Sequence, residues 1–263
     1  MAKEAADNPI LHSTDSDVIH LPFHSEFNVF QTFGLSKFML LNLVAAVLAI
    51  VLFWLLVRNI TKNGYAKGKF FNFLEVLALY MRNEVAIPAI GKKDADRFLP
   101  LLWTTFFFIL FGNLIGMLPW LGSPTGALGT TVAMALCIFI VTHGSGIAEN
   151  GAANYIHSFV PPVPKLLLPI IVPIEIFSHL LRPCILAIRL FVNMLGGHTV
   201  LYVFLSFIAA KGLGFLLGWT VTGASVGAVV ALSVLELFVA FLQAYVFTFL
   251  SALYIGGALH PHH

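Results

Sequence analysis

Two apolar runs dominate the second half of this 263-residue chain. Leu166–Ala209 extends for 44 residues and Leu213–Leu259 for 47, and no charged turn interrupts either. As helices rising 1.5 Å per residue they would each be about 60–70 Å long, roughly twice a hydrocarbon core of about 30 Å. Each is read as one long, strongly tilted membrane helix. The pair forms a hairpin that turns near "KGLGFLLG".

Composition points the same way. The chain is 59% hydrophobic and 10% charged, against about 25% charge in a soluble domain. That is too little polar surface to cover a globule in water, so lipid must be the solvent. Ahead of the long runs, Phe38–Val57 is a first span. Phe70–Ile87 carries Asn72, Glu75, Arg82 and Asn83 on one side, which reads as an interfacial helix ended by Pro88. Pro100–Leu121 and Thr130–Ile147 are two further spans joined by "GSPTGALG". Gly112 and Gly116 form a small-xxx-small pair suited to close helix packing.

The expected fold class is therefore an all-α polytopic membrane protein. It has one N-terminal transmembrane helix, an interfacial helix, a helical hairpin and a hairpin of two long tilted helices. Residues 1–36 are expected to be a retained extramembrane tail, and 37–263 a single membrane domain with about five passes. Eight of the fourteen Lys and Arg lie between Arg58 and Arg97. The positive-inside rule makes that connection cytoplasmic, or on the matrix side in an organelle, with the tail outside and "HPHH" inside. Cys137 and Cys184 sit in apolar helical runs and read as small core residues.

The first long run carries a polar stripe. Glu175, His179, Arg182, Leu186, Arg189 and Asn193 recur at alternating steps of four and three, one face of a helix, and Gly196 continues it. Such groups cannot face lipid and must meet protein or a water-filled cavity. The second run has two strongly polar side chains, Glu236 and Gln243, seven apart on one face. One antiparallel register places Arg189 opposite Gln243, His198 opposite Glu236 to within a step, and Glu175 opposite about Ala258, beside His260. Glu175 lies about 21 Å along the helix from Arg189 toward the inside, and His198 about 13 Å toward the outside.

Carboxylates and imidazoles can be tuned to exchange protons near neutral pH, whereas arginine stays protonated. A permanent cation between two titratable groups would stop protons from running straight through. The pattern suggests two offset half-channels divided by Arg189. A divider does no work unless a mobile acid passes it, and this chain supplies none, so by hypothesis the acid belongs to another subunit.

Several separated motifs carry a resemblance. "HLLRPCILAIRLFVNMLGGH" (179–198), "VPIEIFSHLLRP" (172–183), "LELFVAFLQAYVFTFLSALYI" (235–255) and "FGNLIGMLP" (111–119) resemble segments of subunit a of the F-type (Fo) ATP synthase, over about residues 35–260. The resemblance implies a non-catalytic, proton-translocating stator subunit beside a ring of c subunits that each bear a mid-membrane carboxylate, with peripheral stalk b subunits as further partners. It implies that Arg189 meets that carboxylate, that Gln243 accompanies it, and that Asn193 lies in the same signature. His198 and Glu236 would line the outer half-channel, in an order that is reversed in some members. Glu175, with His179 and Arg182 on the same stripe, would belong to the inner path. The bacterial inner membrane is the expected location, an organellar inner membrane the alternative.

Two other classes stay open from the residues. A secondary transporter would bind an anionic substrate at Arg189, although the internal repeat usual in such folds is absent. A redox protein would use His143 and His157 for haem, but "GSG" and "NGAAN" between them argue against one continuous helix. His12, His20 and His24 read as solvated tail residues rather than a metal site. No cofactor, metal, nucleotide or nucleic acid is expected on this chain, and no hydrolase motif appears.

Overall fold

A computed structural model of the chain describes residues 18–20, 26–28, 36–63, 68–118, 123–157, 168–209 and 215–260. Strands β1 (Val18–His20) and β2 (Glu26–Asn28) pair antiparallel, with Ile19 opposite Phe27. All other regular structure among the described residues is helical. In chain order come α1 (Lys37–Asn63), α2 (Lys69–Tyr80), a π-helical turn (Met81–Ala86), α3 (Ile87–Ile90), α4 (Ala95–Gly116), α5 (Leu128–Asn150), α6 (Ala152–His157), α7 (Leu168–Ala209) and α8 (Phe215–Leu259). A single 3-10 turn, Pro124–Gly126, precedes α5. Five helices, α1, α4, α5, α7 and α8, are long and apolar enough to cross a membrane. Each long run of the sequence is indeed one helix, of 42 and 45 residues. Residues 210–214, between them, lie outside the described residues.

The reason for helix everywhere is solvent. Hydrocarbon offers no partner to a backbone N–H or C=O, so each spanning segment must satisfy its own. Hydroxyls in the spans follow the same rule. Thr248 and Ser251 are buried and donate to the carbonyls of Ala244 and Phe247, 2.9 and 2.8 Å away. Ser233 and Thr199 likewise donate one turn back, to Val229 and Leu195.

The chain divides into two compact units. The first comprises Met1–Val47, Phe108–Thr130 and Leu190–Gln243. Its core includes Phe38, Leu41, Ala45, Ile109, Leu190 and Ala240. Buried Asn113 ties three segments together, donating to the carbonyl of Ala240 at 3.1 Å and accepting from the Thr125 hydroxyl at 2.8 Å. Asn42 on α1 donates to the Thr130 hydroxyl at 2.8 Å. The small pair Gly112 and Gly116 does not seat another helix. It accommodates the returning turn: a Cβ at Gly112 would stand 3.0 Å from Thr125, and one at Gly116 would stand 2.5 Å from the Ser123 hydroxyl. The chain reverses so tightly after α4 that the turn itself fills the groove.

The second unit comprises Leu48–Phe107, Thr131–Arg189 and Ala244–His263. Phe106, Met81, Ile90, Leu102, Phe247 and Ile255 are among its fully buried side chains. The ends of three helices meet here. Asn150, at the end of α5, donates to the carbonyls of Ala258 and Leu259 at the end of α8, each 3.2 Å away. Arg97 near the start of α4 faces Glu149 at 3.9 Å, and His260 faces Asp94 at 3.4 Å. The C-terminal end of α8 thus packs beside the basic connection, as an odd number of passes requires.

Four expectations are corrected. Pro88 does not end the interfacial helix. The π turn widens the helix ahead of it, and proline is tolerated in the first turn of α3, where no inner-turn donor is needed. The stop is Gly91, at φ 101°, a conformation in which a Cβ would be strained. Next, α4 begins at Ala95 and takes Pro100 into its second turn, rather than starting at that residue. The span read as Thr130–Ile147 is Leu128–Asn150, running on through "GSG"; Gly151 at φ 78°, within "NGAAN", then ends it, so His143 and His157 lie on separate helices as expected. Finally, Cys137 and Cys184 are exposed, not core residues. A small apolar side chain on a membrane helix has no need to avoid the outside.

The α8 backbone comes closest to a neighbour at Gly256, where a Cβ would run into the carbonyl of Ala89 in α3. Gly256→Val should force backbone apart and cost about 1–3 kcal/mol, read as a lowered thermal midpoint in detergent. Gly257→Ala, with nothing within 4 Å, should leave the midpoint unchanged.

Candidate functional site

The stripe on α7 runs through both units, and the two ends have different surroundings. In the first unit, α7 and α8 bound a cavity of about 360 Å³. Its walls are apolar apart from Asn193 of α7 and Glu236 of α8, both half-buried. Gly196 and Gly197 supply the floor. A Cβ at Gly197 would sit 2.5 Å from a carboxylate oxygen of Glu236, so this glycine leaves the space that the carboxylate occupies. The residue beside His198 therefore meets Glu236, in the register expected from the sequence. The side chains of His198 and Glu175 themselves lie outside the described residues.

Gln243 closes the first unit's share of α8. It is 2% exposed, and its Nε2 has no hydrogen-bond partner among the described residues. A buried donor without an acceptor costs about 1–3 kcal/mol.

Arg189 closes the second unit's share of α7. Its side chain is exposed. Around it on the same helix, Phe177, Leu181, Ile185 and Ile188 are also exposed, while Leu186 and Ala187 are buried. The cation thus stands on the outward apolar face of the helix rather than in the packed interior of this chain. The outward face continues beyond it through Val192 and Leu195.

Arg182 and His179, two and three turns before Arg189, are half-buried and belong to a second polar group. Arg182 Nη1 donates to His179 Nε2 at 3.3 Å. A guanidinium only donates, so in this contact the ring nitrogen is the acceptor. The Arg182 guanidinium also lies 5.7 Å from the ring of Tyr254 on α8, within cation–π range. The His179 ring is 6.1 Å from that of His143 on α5. His143 Nδ1 is 2.7 Å from the hydroxyl of Tyr155 on α6. Burial pushes the Tyr155 phenol above its usual range, with the Arg182 charge pulling the other way, so the phenol keeps its proton at neutral pH.

His143, Tyr155 and Tyr254 were not among the residues singled out for a proton path. His143 was weighed only with His157 as a haem pair, yet it bonds Tyr155 while His157 is exposed on α6. The missed signal was Gly146. A Cβ there would run into the Tyr155 ring, and the left-handed Gly151 folds α6 back onto that gap.

Comparisons with known proteins agree with one another. A family model described as ATP synthase A chain matches residues 39–256. "ATP synthase subunit a" of Myxococcus xanthus is 46% identical, with 75% of this chain and 64% of that protein covered. The same-named proteins of two Anaeromyxobacter dehalogenans strains are 40% and 43% identical, with 95% and 77% of this chain covered. The chain spans 70% and 52% of their lengths, so it matches between about half and seven-tenths of these relatives. With most of its length matched in this way, the chain belongs to the ATP synthase A chain family, subunit a of the F-type enzyme's membrane sector.

Proposed function

We propose that this subunit is the proton-conducting stator of the ATP synthase, with Arg189 separating two half-channels at the surface that meets the c ring. The observation that carries the reading is the exposed position of Arg189 amid exposed Ile185 and Ile188. A lone arginine at mid-span costs about 2.5–3.5 kcal/mol on insertion scales, and more on an isolated helix. Among the described residues the exposed neighbours on that face, Ile185, Ile188 and Val192, are apolar, so a partner carrying an acid is the natural counterpart.

In this mechanism a proton enters the cavity beside Glu236 and Asn193 and is exchanged there with the aid of His198. It then passes to a c-ring carboxylate. As the ring turns, that carboxylate arrives beside Arg189 after losing its proton to the other passage, where Glu175, His179 and Arg182 lie. Arg189 attracts the ionised carboxylate and lowers its pKa, which favours release without a proton shortcut. The unpaired amide donor of Gln243 is suited to an oxygen acceptor arriving with the ring. A membrane potential contributes about 2.3 kcal/mol per charge per 100 mV to bias rotation. Peripheral stalk b subunits would hold the chain still, in a bacterial inner membrane. An anion transporter built on Arg189 finds no observation in its favour.

Replacing Arg189 by Ala should abolish proton-driven ATP synthesis in inverted membrane vesicles while the complex still assembles. Synthesis at the parent rate would overturn the divider role. The paired exchange His198→Glu with Glu236→His should retain far more proton pumping than His198→Ala or Glu236→Ala alone. Pumping in the exchange as low as in the single variants would mean that the two residues do not act together.

A further inference from the structure

The polar group in the second unit has a feature that interhelical hydrogen bonding alone does not require. Two imidazoles face each other 6.1 Å apart, but their partners differ in kind. His179 Nε2 accepts from a permanent cation, Arg182. Adding a proton there would set two donors against each other and break the contact. His143 Nδ1 instead meets the hydroxyl of Tyr155 at 2.7 Å. A hydroxyl both donates and accepts. It can give its proton to a neutral His143, or receive the Nδ1–H of a protonated one, so this bond survives either state. Of the two imidazoles, only His143 can gain and lose a proton without losing its partner.

Resting on the proton-path reading above, we propose that His143 is a reversible proton acceptor in the passage on the side of the basic connection. Tyr155 positions it there, and Arg182 donates to its neighbour His179. Groups facing it include Tyr155 from α6 and His179 and Arg182 from α7, with Phe139 one turn back on its own helix at 4.1 Å between ring centroids. Glu149, the acid on the same helix, faces Arg97 instead. The ring of His143 is half-buried, so it stands at the edge of the packed interior. The transfer balances from the neutral tautomer whose Nδ1–H donates to the Tyr155 oxygen: a proton from water on that side joins Nε2, which carries none in that tautomer, and Nδ1–H stays bonded to Tyr155. The same proton then leaves toward the passage served by Glu175.

The test uses the whole ATP synthase in inverted vesicles, with ATP-driven pumping and proton-driven synthesis measured against pH on the exposed side. His143→Gln should assemble normally, slow both directions by on the order of tenfold and flatten the dependence between about pH 5 and 8. Tyr155→Phe should displace the pH profile with a smaller loss of rate. Should His143→Gln fail to assemble, His143→Cys in a Cys137→Ala, Cys184→Ala background provides a second reading. A membrane-impermeant thiol reagent should label it from the basic side only. An assembled His143→Gln complex with the parent pH profile, or a His143→Cys that no such reagent labels, would leave His143 as an interhelical tie and overturn the proposal. Arg189→Ala is assayed alongside. If it retains synthesis, the proton-path reading fails; if it is inactive while His143→Gln titrates like the parent, only the role of His143 fails.

Discussion

Hydrocarbon gives a backbone nothing to bond to, and every other feature of this chain follows from that lack of alternatives. The chain responds with helices that satisfy themselves, long enough that α7 and α8 exceed any simple crossing. It responds also by confining polar side chains to places where something other than lipid meets them. Asn113 is used up in holding a turn and a helix carbonyl. Thr248 and Ser251 are spent on their own helix. The polar groups left over are therefore informative, because structural needs do not account for them.

Those leftovers fall into two chemically distinct sets. One is sparse: Asn193 and Glu236 in an apolar cavity, with glycines making room for the carboxylate. The other is dense and aromatic, with two imidazoles, two phenols and a guanidinium within reach of one another.

The residues themselves revealed the long helices and the stripe, because both depend on period and length, which the sequence states outright. The register between α7 and α8 was readable to within a step, since so few polar residues were available to be matched. Local punctuation was less legible. Pro88 looks like a stop and Pro100 like a start, but a widened turn or an early helical position removes the clash that makes proline a boundary. The "GSG" of α5 looks like a break, yet in a membrane glycine is as useful for making room as for ending a helix. His143 was invisible as a site for the same reason: its partner Tyr155 reaches it only because Gly151 reverses the chain and Gly146 leaves a gap. Arg189 was placed on the polar stripe by period alone. That it points outward is a matter of which side α7 packs, and no single-helix pattern encodes that.

The π turn at Met81–Ala86 has an effect on angular phase. An α-helix turns about 100° per residue, and a π turn takes in one extra residue without that advance. Upstream, Phe70, Phe73 and Val76 point outward while Leu74 and Ala78 are buried, and downstream Ile90 is fully buried. The widened turn absorbs the phase of one residue within a single rod, so that Ile90 comes round to the side on which Leu74 and Ala78 dock. Winding the same residues as ordinary α-helix would swing Ile90 out of its seat.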